Sequence, residues 1–110
     1  MNLFVYGELC RAETIVGLLG RMPICVPALL QNHRREINPA TGYYQAHPAV
    51  GQQVVGLLFL EIAADEIERL DEFEEVAIGL YRRAECQVQS LGEARCQVTA
   101  HAYLAGQVIS

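Results

Sequence analysis

Ala84-Glu85-Cys86-Gln87-Val88-Gln89, followed by Leu91-Gly92-Glu93-Ala94 and then Cys96-Gln97-Val98-Thr99-Ala100-His101-Ala102-Tyr103-Leu104, is the stretch on which the fold class turns. Ala84, Cys86 and Val88 alternate with Glu85, Gln87 and Gln89. Cys96, Val98, Ala100, Ala102 and Leu104 alternate in the same way on the return. A two-residue period marks strands with one buried face, and Leu91-Gly92-Glu93-Ala94 has the chemistry of a turn. Residues 81–104 therefore read as an antiparallel hairpin.

Working outward, residues 63–75 form the clearest helix. Upstream of it Val54–Leu60 is the most hydrophobic run, short and β-branched at its start. It reads as a buried strand in which Gly56 marks a bulge or a close backbone approach. His47-Pro48 reads as a local break, and Asn38-Pro39-Ala40-Thr41-Gly42 as a turn. Ile24–Leu30 is extended, with Pro27 pointing to an edge or a bulge. Leu3-Phe4-Val5-Tyr6 is β-prone and stops at Gly7. Ala12, Ile15, Val16, Leu18 and Leu19 then recur at helical spacing, with Gly17 weakening the helix and Gly20 ending it. The order β-α-β-β-α-β-β predicts an α+β fold, a strongly curved sheet or small mixed β-barrel with two flanking helices.

A chain of 110 residues, 52% apolar and 19% charged, suits a single globular domain spanning 1–110. Its net charge is -5, with eight arginines, thirteen acids and no lysine. That balance argues against a nucleic-acid partner, and the missing lysine removes Schiff-base and P-loop chemistry. No run approaches the roughly 20 apolar residues that span a bilayer, so no membrane partner is expected. The N-terminus lacks the basic lead and cleavage site of a signal peptide. Cys10, Cys25, Cys86 and Cys96 show no CxxC spacing and are expected to be reduced, mostly buried thiols of a cytoplasmic protein. His33, His47 and His101 have no metal-ligand spacing, so no metal site is expected. Two serines and no GxSxG exclude a serine-hydrolase elbow.

Two features carry candidate chemistry. On a wheel of about 100° per residue with Ala63 at zero, Ile67 lies near +40°, Leu70 near -20° and Phe73 near -80°. Asp65, Glu68, Arg69, Glu72 and Glu75 take the other side. Glu74 falls near +20°, as an approximate wheel position inside the apolar stripe. Burying a carboxylate without partners costs several kcal/mol, so it must find donors or keep a proton. Glu74 either bends out to solvent, pairs with Arg82 or Arg83, or sits in a partly apolar pocket with the raised pKa of a general base. The second feature is Tyr6-Gly7-Glu8-Leu9, where a strand delivers a glycine turn just before a helix. Backbone amides there can converge on a carboxylate or oxyanion. Cys10 stands near a helix start, where a thiol's pKa can be depressed, but has no identified partner base.

Taken together, these segments resemble the γ-glutamylcyclotransferase-like (AIG2-like) family. Leu3-Phe4-Val5-Tyr6-Gly7-Glu8-Leu9 resembles its YGxL opening. Pro27-Ala28-Leu29 and the basic Arg34-Arg35 follow. His47-Pro48-Ala49-Val50 resembles its Tyr-Pro-Ala-hydrophobic segment, Val54-Val55-Gly56 its V-x-G strand, and Leu70-Asp71-Glu72-Phe73-Glu74 its LDxxE motif, with Tyr81-Arg82-Arg83 beyond. The resemblance implies a small β-barrel with a cavity at its mouth and release of 5-oxoproline from a small γ-glutamyl amine or peptide, with no cofactor or metal. It places Glu74 as catalytic base and the Tyr6-Gly7-Glu8-Leu9 turn and Tyr81 against the substrate. Two positions depart from the family pattern: Glu8 stands where Thr or Ser is usual, and Glu75 where Gly is usual. Two readings follow, a cyclotransferase or a non-catalytic member of the same fold that binds a small metabolite or a partner protein. The leaving amine and the oligomeric state are not encoded in any motif.

Overall fold

Gly56 fixes where the first strand crosses the third. A Cβ added there would stand 2.1 Å from the Val5 carbonyl oxygen and 2.7 Å from the Phe4 ring. Only a glycine permits this contact, the close approach expected of Gly56. The computed structural model describes residues 1–92 and 96–106. The strands are β1 (Leu3–Val5), β2 (Cys25–Ile37), β3 (Tyr44–Phe59), β4 (Tyr81–Ser90) and β5 (Gln97–Ala105), with helices α1 (Ala12–Leu19) and α2 (Ala64–Phe73). Short 3-10 turns cover Glu8–Cys10 and Val76–Ile78.

The five strands close into a barrel in the order β1-β3-β2-β4-β5. All pairings are antiparallel except β1 with β5, which closes the barrel in parallel. The hairpin of residues 81–104 is present, with Ala84 opposite Ala102 and Val88 opposite Val98. Glu93 and Ala94 of its expected turn lie outside the described residues. The expected order of elements and the α+β barrel with two flanking helices are both observed.

Closure creates two apolar layers. Phe4, Leu30, Ala46, Leu58, Val88, Ala102 and Leu104 fill the barrel. Leu3, Val5, Phe59 and Tyr103 face outward and are covered by Ile15 and Leu19 of α1 and Ile67 and Leu70 of α2. β1 is thus buried on both faces, which is why its three residues lack alternation. Arg21 clamps the start of α2 to the chain following α1. Its guanidinium donates to both Glu66 carboxylate oxygens, at 2.7 and 2.8 Å, and Glu66 accepts from the Ala63 amide at 2.9 Å. The Arg21 hydrogen bond pulls the Glu66 carboxyl down to about 2.

Four local expectations need correction. Pro48 does not break the chain, since β3 runs through it opposite His33 of β2. The irregularity instead lies at Asn32 and Gly51, both at positive φ, where the Gly51 amide donates to Asn32 Oδ1. Pro27 is not on a free edge but in β2, between β3 and β4. Its carbonyl accepts from the Leu91 amide at 2.9 Å, just past the last paired residue of β4, so its missing donor falls at a ladder end. α2 ends at Phe73 rather than at residue 75, because Glu75 turns into the left-handed region at φ 53°, ψ 44°. The cysteines are less buried than expected: three are half-buried and Cys96 is exposed.

Candidate active site

A cleft of about 790 Å³ opens at one end of the barrel. One wall is the end of β1 with the turn that follows it. The second is the end of α2, Phe73–Glu75. The third is the β2–β3 hairpin, which contributes Arg35, Tyr43 and Tyr44, and Tyr81 and Tyr103 stand between.

Glu74 caps the C-terminus of α2, its amide donating to the Leu70 carbonyl at 2.9 Å. Its carboxylate does not pair with Arg82 or Arg83. Arg83 is taken by Asp71, Nε to Oδ1 at 2.9 Å, and Asp71 also accepts the Tyr103 hydroxyl at 2.7 Å. That network ties the last turn of α2 to β4 and β5, and so aims Glu74 into the cleft. Among the described residues no donor reaches the Glu74 carboxylate. Burial pushes it up to about 7, and the charges of Glu75 and Glu8 push in the same direction. A carboxylate poised near neutrality accepts and returns a proton with little free-energy cost.

The Tyr6-Gly7-Glu8-Leu9 turn faces the same cleft. Glu8 and Leu9 begin a 3-10 turn, and such first-turn amides have no acceptor within their own helix. The Leu9 side chain is buried under α1, so the backbone is what this residue offers to the cleft. Glu8 is drawn toward the start of α1. Its Oε1 accepts from Thr14 Oγ1 at 2.9 Å and lies 3.5 Å from the Arg11 guanidinium, which partly neutralises it. The Tyr6 hydroxyl donates to the Tyr103 carbonyl and accepts from the Ala46 amide at 3.0 Å. It anchors the end of β1, and burial holds its pKa far above the ordinary range. The Tyr81 hydroxyl likewise donates to the Tyr44 carbonyl at 2.6 Å, with its pKa raised to about 12 by burial. Cys10 also lines the cleft, but burial pushes its thiol up rather than down. His33, His47 and His101 stay outside the cleft; His33 Nδ1 is 2.8 Å from the Gln31 carbonyl.

Arg35 is the cleft residue that periodicity misassigns. Ala28 and Leu30 point into the barrel, so simple alternation would send Arg34 and Glu36 inward and Arg35 out. The irregularity at Asn32 shifts the parity. Beyond it Arg35 pairs with Ala46, which faces the barrel interior. Arg35 therefore emerges at the mouth. Its guanidinium lies 4.1 Å from the centre of the Tyr44 ring and donates to the Tyr6 carbonyl at 3.4 Å. An Asn inside an extended run is the sequence signal for such an irregularity, since Asn tolerates the left-handed region better than most residues.

The model of a family described as gamma-glutamyl cyclotransferase, AIG2-like, matches residues 3–109. The chain belongs to the γ-glutamyl cyclotransferase, AIG2-like family. It is 34% identical over 87 residues to AIG2-like protein D of Arabidopsis thaliana, covering 79% of this chain and 55% of that protein. It is 26% identical over 91 residues to a Methanocaldococcus jannaschii protein whose name includes gamma-glutamylcyclotransferase, covering 83% of this chain and 41% of the other. The chain thus spans about half the length of the relatives it matches. A solved structure titled gamma-glutamyl cyclotransferase superimposes with a TM-score of 0.84 at 21% identity, over 99% of this chain and 68% of that one. That likeness establishes the family's barrel fold in this chain.

Proposed function

We propose that the protein is a γ-glutamyl cyclotransferase that releases 5-oxoproline from a small γ-glutamyl amine or peptide, with Glu74 as general base. The observation that carries this reading is a carboxylate without a donor among the described residues, poised at about 7, in the cleft that also holds the Tyr6-Gly7-Glu8-Leu9 turn. The α-amine of a γ-glutamyl group is an ammonium at neutral pH and is not nucleophilic. Glu74 takes its proton. The nitrogen then attacks the γ-carbonyl, forming the ring C–N bond while the carbonyl electrons move onto oxygen. Amides of the turn stabilise that oxyanion. Collapse breaks the bond to the departing amine. Protonated Glu74 gives that nitrogen its proton, and Glu74, ionised again, passes on the second proton shed by the ring nitrogen, so the amine leaves as an ammonium. No oxidant, water or cofactor enters the balance. Family membership gives this reaction class its support.

The test is release of 5-oxoproline and free amine in equal amounts across a panel of γ-glutamyl amines and peptides. Turnover of at least one member is expected. Binding of panel members without any release would instead favour a non-catalytic metabolite-binding role for the same cleft.

A further inference from the structure

Glu8 and Glu74 bring two carboxylates to the cleft, and Glu75 brings a third. A γ-glutamyl ligand adds a fourth through its α-carboxylate. The turn's amides are dipoles, and Glu8 stands among them. A cation facing the α-carboxylate would offset its charge among these acids. Two arginines line the cleft, Arg11 and Arg35. Arg11 is engaged by Glu8 at 3.5 Å and by Glu13 at 3.9 Å. Arg35 forms no ion pair among the described residues, whereas its neighbour Arg34 is bound to Glu36 at 2.6 Å.

We propose that Arg35 is the carboxylate anchor of this cleft and restricts its ligands to γ-glutamyl compounds with a free α-carboxylate. The inference rests on the γ-glutamyl reading above. Three features suit Arg35 to the task. The parity shift at Asn32 brings it to the barrel mouth on the Ala46 face. Stacking over Tyr44 at 4.1 Å orients the guanidinium plane, so less freedom is lost when it grips a carboxylate with two parallel hydrogen bonds. Its donation to the Tyr6 carbonyl holds it beside the Gly7–Leu9 turn, so a carboxylate gripped by Arg35 sits next to the amides that would face the developing oxyanion. The α-amine and α-carboxylate share a carbon. Anchoring the carboxylate at the Arg35 wall therefore leaves the amine to turn toward the α2 wall, where Glu74 stands. A γ-glutamyl residue whose α-carboxylate is tied up in an amide or ester would lose the anchor and leave the Arg35 guanidinium without its anion.

The experiment compares binding of 5-oxoproline, which carries the carboxylate, with 2-pyrrolidinone, the same ring without it. Parent, Arg35→Gln and Arg35→Met are titrated by NMR, with Arg34→Gln as the neighbouring control. Backbone amide spectra verify that each variant is folded. The parent is expected to prefer 5-oxoproline at least tenfold, Arg34→Gln to keep that preference, and both Arg35 variants to lose it while 2-pyrrolidinone binding stays unchanged. For any substrate turned over, Arg35→Gln should raise KM at least tenfold and leave kcat within a few-fold. A carboxylate preference that survives in the Arg35 variants, or that the parent lacks, overturns the proposal. An Arg35-dependent preference without 5-oxoproline release from any γ-glutamyl compound would keep the anchor and defeat the cyclotransferase reading.

Discussion

Replacing Glu74 by Gln should stabilise the protein while removing its proposed base. The ordinary glutamate value of 4.5 is raised to about 7 in the folded chain. Each unit is worth about 1.4 kcal/mol, so holding Glu74 ionised in the fold costs about 3 kcal/mol. The sign follows from linkage. Between about pH 4.5 and 7 the folded state binds more protons at this site than the unfolded state, so stability falls as pH rises through that window. Glutamine has nearly the same shape and no charge, and escapes the penalty. Glu74→Gln should match the parent near pH 4 and exceed it by about 3 kcal/mol at pH 8, roughly 13 °C in Tm for a domain of this size. Thermal unfolding of both proteins from pH 4 to 8, followed by circular dichroism, measures the gap. A Gln variant no more stable than the parent at pH 8, or a gap that does not grow with pH, would refute the burial of an unpaired carboxylate.

Three further outcomes follow from the geometry. Glu75→Gly should stabilise the chain by about 1 kcal/mol in denaturant titration, because glycine adopts the left-handed cap conformation without a Cβ clash. The same variant should lower the Glu74 pKa, and Glu8→Thr should lower it by less, as read by carboxyl NMR. Gly56→Ala should destabilise by at least about 3 kcal/mol, since a Cβ at 2.1 Å from the Val5 carbonyl oxygen moves backbone rather than a side chain; a folded variant with parent-like Tm would contradict the strand crossing.

The barrel could be read from sequence where one rule acted alone. The 81–104 hairpin alternates because only one face of β4 and β5 is buried along most of its length, and Gly56 stood out because a glycine inside an apolar strand needs a reason. Glu74 was visible because it broke a helical stripe. The surroundings of Glu74 were not visible, because they depend on pairings distant in sequence: Arg83 is diverted to Asp71, and Tyr103 joins them from β5. The helix end was misjudged by two residues because an acidic residue occupies a left-handed position that sequence patterns reserve for glycine. Pro48 misled because proline commonly ends strands, whereas here the irregularity is absorbed at Asn32 and Gly51. That same irregularity hid Arg35, since a one-residue change of parity sends every later side chain to the opposite face.

The pH dependence of 5-oxoproline release by the parent and by Glu74→Gln tests the role of the cleft most directly. If Glu74 is the base, kcat/KM should rise with pH below about 7 and level off above it, following the raised value of its carboxyl. Glu74→Gln should lower the plateau by roughly a hundredfold or more and abolish the inflection. A profile flat through pH 7, or a Gln variant within a few-fold of the parent, would contradict the assignment of the base.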